Sequence, residues 1–230
     1  MASPPARPAL RARYDRRQEE VVEKAAHMFA RRGYDGTTVS DLAEEIGIAA
    51  GGLYHYFGSK EQLLIRICDQ LMEPLLAEAR ELRESDGAPG EQLRDLVRLW
   101  VTHVVAHRDH MLVFQQERHV IERGPQWRAV RASRKAFERL VEDALEEAAD
   151  LLALPDRRLA LSALLGMVNH TAQWYRPRGR LTPADVADGY VDLLLDSPTH
   201  DPREGLRRAP DARAGGARSG SGACSRAGAA

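Results

Sequence analysis

Thr37-Thr-Val-Ser-Asp-Leu-Ala43, then Gly47-Ile-Ala-Ala-Gly-Gly-Leu-Tyr-His-Tyr-Phe57, then Ser59-Lys-Glu-Gln-Leu63: these three nearly contiguous runs decide how the rest of the 230-residue chain is read. Thr38-Val-Ser-Asp41 has the spacing of a capping box, in which a hydroxyl and a carboxylate three residues apart satisfy each other's backbone N–H groups at a helix start. Val39, Leu42, Ala43 and Ile46 recur at helical spacing, and Gly47 ends the run where a left-handed residue is needed. A second short helix is predicted from about Ala49 to Phe57, with Leu53 and Phe57 inward. Ser59 with Gln62 begins another. Two short helices joined by a tight Gly47-Ile48 turn have the geometry that lays the second helix in a major groove about 12 Å wide. Ala43 is small where the helices must approach, and Ile48 is apolar where it can plug the space between them.

Reading outward, helical punctuation continues in both directions. Before the turn, Val21, Val22, Ala25, Ala26 and Phe29 predict a helix over residues 15–32, closed by Gly33. After it, Leu63, Leu64, Ile67 and Leu71 give a buried stripe, and Pro74 is expected to kink or interrupt the helix by removing a backbone donor. Apolar stripes then predict helices over residues 89–106, 108–122 and 125–153, one opened by Pro155 whose 159–168 stretch is apolar on most sides, and a last one capped by Thr182-Pro-Ala-Asp185. No β pattern emerges. The expected fold is all-α, with about nine helices: an N-terminal three-helix head carrying the helix-turn-helix and a C-terminal helical domain. The expected division is a basic flexible arm over residues 1–14, the head over 15–75, with the helix-turn-helix at about 38–57, the C-terminal domain over 76–197, and a tail over 198–230. That tail is Gly, Ala, Arg and Ser with almost no large apolar residue, a composition that cannot offset its ordering entropy.

Composition narrows the function. Net charge is −1 with 29% charged residues, so any attraction to nucleic acid must come from a local patch. Cys68 and Cys224 are far apart, which argues against a disulfide framework or thiolate metal site and suits a reducing cytoplasm. No apolar stretch is long enough to span a membrane. His103 and His107 stand four apart near His110, but Val104 sits where a zincin motif needs its glutamate, so no metal is assigned. No phosphate loop, dinucleotide fingerprint or nucleophile elbow occurs, and the chain is not read as an enzyme.

DNA is the partner these residues suit. Ala49, Ala50 and Gly52 are small enough to bring the second helix's backbone close to base edges. Tyr54 and His55 present polar tips opposite Leu53 and Phe57. Thr38 and Lys60 stand at helix starts, where free N–H groups and a cation can meet phosphates. Arg7, Arg11, Arg13, Arg16 and Arg17, against the single acid Asp15, can reach along the duplex or into a minor groove.

Together with Ala26-His-Met-Phe-Ala-Arg-Arg-Gly-Tyr34, the three opening runs resemble the DNA-binding domain of TetR-family regulators, without a gap over residues 16–71. The resemblance implies that Thr38, Tyr54, His55 and Lys60 position the DNA backbone while Ala49, Ala50 and Gly52 face the bases. Many relatives carry Ser or Thr in place of Ala49 and a polar residue in place of Ala50. Direct hydrogen-bonded readout is therefore expected to be sparse, leaving more to thymine methyl contacts and DNA shape.

In the C-terminal half, Gln173-Trp-Tyr-Arg-Pro-Arg-Gly-Arg-Leu-Thr182 is similar to a segment of actinobacterial TetR-type regulators of lipid and sterol-ring breakdown that respond to acyl-CoA thioesters. That resemblance implies an effector, not a cofactor. Trp100, Phe114, Met167 and Trp174 are expected to line a pocket for an acyl or ring system, with Gln115, Asn169, His170 and Gln173 fixing its polar atoms and Arg176, Arg178 and Arg180 meeting phosphates. The last two helices are expected to build a two-fold homodimer interface, matching a palindromic operator. The function so read is a ligand-released repressor. A dimeric activator or architectural DNA binder without a ligand is the alternative.

Overall fold

The computed structural model describes residues 7–154 and 156–195. Ten α-helices follow one another: α1 Pro8–Arg32, α2 Val39–Ile46, α3 Ala50–Phe57, α4 Lys60–Arg83, α5 Pro89–Ala106, α6 Arg108–Gln116, α7 Arg118–Ile121, α8 Arg128–Glu147, α9 Arg157–Trp174 and α10 Pro183–Asp192. All but the four-residue α7 are eight residues or longer. No strand occurs among the described residues, only one isolated bridge between Leu152 and Leu195. The fold is all-α, as the periodicity required.

The predicted boundaries hold where a cap wrote them. Thr38 and Asp41 form the full capping box at α2, and Gly47 closes it at φ 75° in the left-handed region, with its N–H on the Ala43 carbonyl. Ser59 accepts the Gln62 N–H at α4, and Thr182 with Asp185 repeats the capping box at α10. Pro155 lies outside the described residues; Asp156 caps α9 by accepting the Arg158 and Leu159 N–H groups. The tail over residues 198–230 also lies outside them.

Four expectations are corrected. Residues 8–14 are not an unstructured arm: α1 begins at Pro8. Pro8 presets the first turn and residues 9–13 are strong helix formers, but this stretch buries no face, so no apolar stripe announces it. Pro74 does not interrupt α4, which runs unbroken from Lys60 to Arg83. The helix expected over 108–122 breaks at Glu117 (φ −95°, ψ 18°), and the one over 125–153 is a short 3₁₀ turn at Pro125–Trp127, then α8, then another 3₁₀ turn at Ala149–Leu151.

Two apolar cores form. One is built on α1 to α4, from Val21, Phe29, Leu42, Leu53, Phe57, Leu63 and Ile67, and is completed by Val113, Ile121, Trp127 and Val130 from α6 to α8. The other gathers Leu71, Leu75, Leu93, Val97, Trp100, Phe137, Val141, Leu164 and Val168. α4 belongs to both, crossing the boundary expected at residue 75. In the second core Arg94 is buried and donates to Asp192 Oδ1 at 2.6 Å and Asp188 Oδ1 at 3.3 Å, while Arg98 Nε donates to Asp188 Oδ1 at 2.7 Å, tying α5 to α10. Burial alone would raise the Asp188 carboxyl pKa, but the hydrogen bonds and charges of Arg98 and Arg94 hold it below the usual range.

Candidate nucleic-acid interface and effector pocket

α2 and α3 present one continuous exposed surface. Thr38, Ala49, Ala50, Gly51, Tyr54 and His55 are all exposed, and Gly52 and Lys60 are partly so. Behind it, Ala43 and Leu42 are buried and Ile48 packs on the core side of the turn. A Cβ at Gly51 would meet nothing, and one at Gly52 would make only ordinary contact with Ile48 at 3.7 Å, so small residues here thin the outer face of α3 rather than relieve crowding inside. α1 braces both helices from the rear: Arg17 Nη2 donates to the Ile46 carbonyl and Lys24 Nζ to that of Glu45, covering orphan acceptors at the end of α2, and Gln18 Nε2 donates to the Tyr56 carbonyl.

Lys60 does not project freely from the start of α4. Its ammonium donates to the carbonyls of Tyr34 (2.8 Å) and Thr37 (2.9 Å) and lies over the Tyr34 ring. The Tyr34 N–H donates to the buried Glu117 carboxylate at 2.9 Å, and the Thr37 hydroxyl to the Gly33 carbonyl at 2.8 Å. The turn feeding α2 is thus held from α4 on one side and from the α6–α7 junction on the other.

Between α4, α5, α6, α8 and α9 lies a cavity of about 340 Å³. Its apolar wall is Met72, Leu75, Trp100, Met111, Phe114 and Leu165; its polar rim is Gln115, Arg118, Arg134, Glu138 and Asn169. Gln115 Nε2 donates to the Asn169 carbonyl at 2.6 Å, joining α6 to α9 across it. Arg134 Nη1 pairs with Glu122 at 2.6 Å, yet its buried Nε, 3.4 Å from Glu138 Oε1, makes no hydrogen bond among the described residues. Two guanidinium groups at the rim of an apolar wall suit a ligand with one greasy and one anionic or carbonyl-bearing part.

Comparison with known proteins decides the family. Residues 21–67 match "Bacterial regulatory proteins, tetR family", and residues 86–197 match "Tetracyclin repressor-like, C-terminal domain". The solved TetR-family regulator PfmR from Thermus thermophilus is 30% identical with a TM-score of 0.67, over 76% of this chain and 96% of that one. The chain belongs to the TetR family. It is a helix-turn-helix regulator of transcription. The HTH-type transcriptional repressor KstR2 of Mycobacterium tuberculosis is 29% identical over 78% of this chain and 91% of its own, and the structure of that ketosteroid regulator superposes with a TM-score of 0.72, at 27% identity over 79% and 96% of the two chains. AibR, solved in complex with isovaleryl coenzyme A and operator DNA, is 28% identical with a TM-score of 0.67, over 78% of this chain and 98% of that one.

Within this TetR-family frame, the cavity collects four of the eight expected pocket residues: Trp100, Phe114, Gln115 and Asn169. Gln173 lies one step out, its Nε2 donating to Gln115 Oε1 at 3.2 Å. Trp174 is not in the cavity; it is 42% exposed. At about 100° per residue it stands some 140° around α9 from Asn169, whereas Gln173 is only about 40° away. Met167 packs against the core instead, His170 is exposed, and Arg176, Arg178 and Arg180 are exposed in the loop after α9. Sequence reading missed Arg118, Arg134, Glu138 and the α4 pair Met72 and Leu75. Apolar residues such as Met72 and Leu75 occur at any core position and charged ones at any solvated face, so no local pattern distinguishes these five.

Proposed function

We propose that this protein is a homodimeric repressor released by an amphipathic anionic metabolite of the acyl-thioester class. Ala49, Ala50 and Gly52 of α3 face the bases of a palindromic operator, Thr38, Tyr54 and His55 meet the phosphate backbone around them, and Lys60 holds the turn that presents Thr38. The acyl or ring part of the effector lies against Trp100, Phe114 and Leu165. Its carbonyl and anionic atoms meet Gln115, Asn169, Arg134 and Arg118, and the bulk of any nucleotide portion stays outside a cavity of about 340 Å³. The cavity acts by recognition, without catalysis.

The observation that carries the reading is the sharing of α4. Met72 and Leu75 line the cavity, while Leu63, Leu64 and Ile67 of the same helix hold the DNA head. A ligand that binds one orientation of α4 better than another must shift the head, because the two cannot be repositioned independently. AibR, caught with both isovaleryl coenzyme A and operator DNA, supports the pairing of ligand and operator in such a scaffold. Dimerisation is supported by the apolar positions left uncovered on and beside the last two helices: Leu159 (56% exposed), Trp174 and Leu193 (71%). Two recognition helices about 34 Å apart read a two-fold site.

The test is a mobility shift on DNA from the gene's own upstream region, with and without a panel of acyl-CoAs. Specific binding released by one thioester supports the reading. Specific binding that no member alters, with the cavity demonstrably occupied, favours an architectural or activating role instead.

A further inference from the structure

The tetR-family match begins at residue 21, but α1 begins at Pro8. Residues 8–15 therefore form helix ahead of both that match and the likeness over residues 16–71. At about 1.5 Å per residue, the part before Tyr14 reaches some 9 Å past its contact with α3. That contact is specific: the Tyr14 ring lies 5.0 Å from Tyr56 and 6.3 Å, edge-on, from His55. With Gln18 on the Tyr56 carbonyl and Arg17 on that of Ile46, the extension is locked in register with the recognition helix.

Its surface is strongly basic in a chain whose net charge is −1. Residues 7–17 carry five arginines and one acid, Asp15. Arg11 faces that acid at 4.0 Å, and Arg17 is paired with Glu20 at 2.6 Å. Arg13 and Arg16 are exposed and have no ion pair among the described residues. They border an open recess of about 700 Å³ together with Leu10, Tyr14, Arg17, Glu20 and Tyr56, and the exposed His55 of α3 lies against Tyr14.

We propose that residues 8–17 form a rigid helical arm that carries the DNA interface onto phosphates flanking the site read by α3, with Arg13 and Arg16 as the contacting cations. The inference rests on the DNA-binding reading above and adds an occupant for a surface which that reading leaves bare. Charge complementarity and continuity with the exposed face of α3 point to the duplex backbone. A helix already ordered and docked presents its cations without the ordering entropy that a disordered arm loses on binding. The contacts are to phosphate, so they add affinity for every sequence alike.

The experiment is fluorescence anisotropy across a salt series with full-length protein and two labelled duplexes, one from the gene's upstream region and one unrelated. Arg13→Gln/Arg16→Gln is compared with wild type, with Arg13→Lys/Arg16→Lys, and with Gly52→Glu as the recognition-helix control. The glutamine pair is expected to weaken both duplexes in equal proportion and to lower the slope of log K against log salt by nearly four per bound dimer, about 0.9 for each of the two phosphates that each protomer releases. The lysine pair is expected to restore most of that slope. An unchanged slope in the glutamine pair, while Gly52→Glu abolishes specific binding, overturns the arm and leaves the recognition helix standing. A loss confined to the upstream duplex also overturns it, because that outcome assigns the arginines to base readout. Wild-type protein that binds neither duplex at low salt overturns the DNA reading itself.

Discussion

The ammonium of Lys60 stands 4.1 Å from the centroid of the Tyr34 ring and donates to that residue's own carbonyl. One cation thus fixes both the ring and the backbone of the turn that starts α2. Lys60→Ala should leave two carbonyls without their donor and remove a cation–π contact, costing about 1–3 kcal/mol in stability. Because the charge is already spent on protein acceptors, operator affinity should fall while the salt slope changes by clearly less than one. Thermal melts and binding isotherms at several salt concentrations check both. A slope change of nearly two per bound dimer, one lysine from each protomer, would instead make Lys60 a direct phosphate ligand.

Glu117 should separate DNA binding from its release. It is the buried acceptor for the Tyr34 N–H and lies between the cavity residues Gln115 and Arg118. Glu117→Ala strands a backbone donor, a cost of about 1–3 kcal/mol, whereas Glu117→Gln retains an acceptor oxygen. The expected result is that Glu117→Ala still binds operator but loses most of the effector's influence on it, while Glu117→Gln keeps both. Titrating operator affinity at zero and saturating effector gives the comparison.

The cavity's arginine should discriminate effectors by charge. Arg134→Met preserves length and apolar packing but removes a guanidinium from the cavity rim. Affinity for an effector with an anionic group at the cavity rim should drop about 10–100-fold, the weight of a hydrogen bond to a charged group, with ligand-free operator binding unchanged. Isothermal titration against the active thioester and its uncharged ester analogue would show it, and equal losses for both would refute the assignment.

Acid should weaken the junction between α4, α5 and α6. His103, whose Nε2–H donates to the Leu71 carbonyl at 2.7 Å, and His110, 2% exposed, have pKa values pushed down from 6.5 to about 4, chiefly by burial, with the neighbouring His107 adding to it. In the unfolded chain both protonate near 6.5, so the unfolded state binds more protons between about 4 and 6.5. Stability should therefore be full above that window and fall as pH drops through it, by on the order of 3 kcal/mol per histidine. Melting temperature against pH for wild type and His110→Gln measures the share of one site, and a flat profile over the window would contradict it.

What the sequence made legible was local. Thr38 with Asp41, Gly47, and Thr182 with Asp185 are contacts over three or four residues, and each boundary they predict is observed. What it hid was of two kinds. Residues 8–14 form helix without a buried face, so propensity had no stripe to speak through. Glu117 and Tyr34 are 83 residues apart, and neither type nor spacing announces that one carboxylate holds the other's N–H. Trp174 was placed in the cavity on chemistry alone, and its phase on α9 excludes it.

The double membership of α4 has a practical corollary for engineering. A hybrid regulator that couples this sensor to a foreign operator-reading head cannot be spliced at a linker, because none lies between Lys60 and Arg83. Cutting at residue 75 would hand the donor's Leu71 and Met72 to a core that did not evolve with them, and a transplanted head would still need Val113, Ile121, Trp127 and Val130 from the recipient. A working chimaera has to be joined inside the helix, between Cys68 and Leu71, and must carry matched side chains from α6 to α8 across with the head.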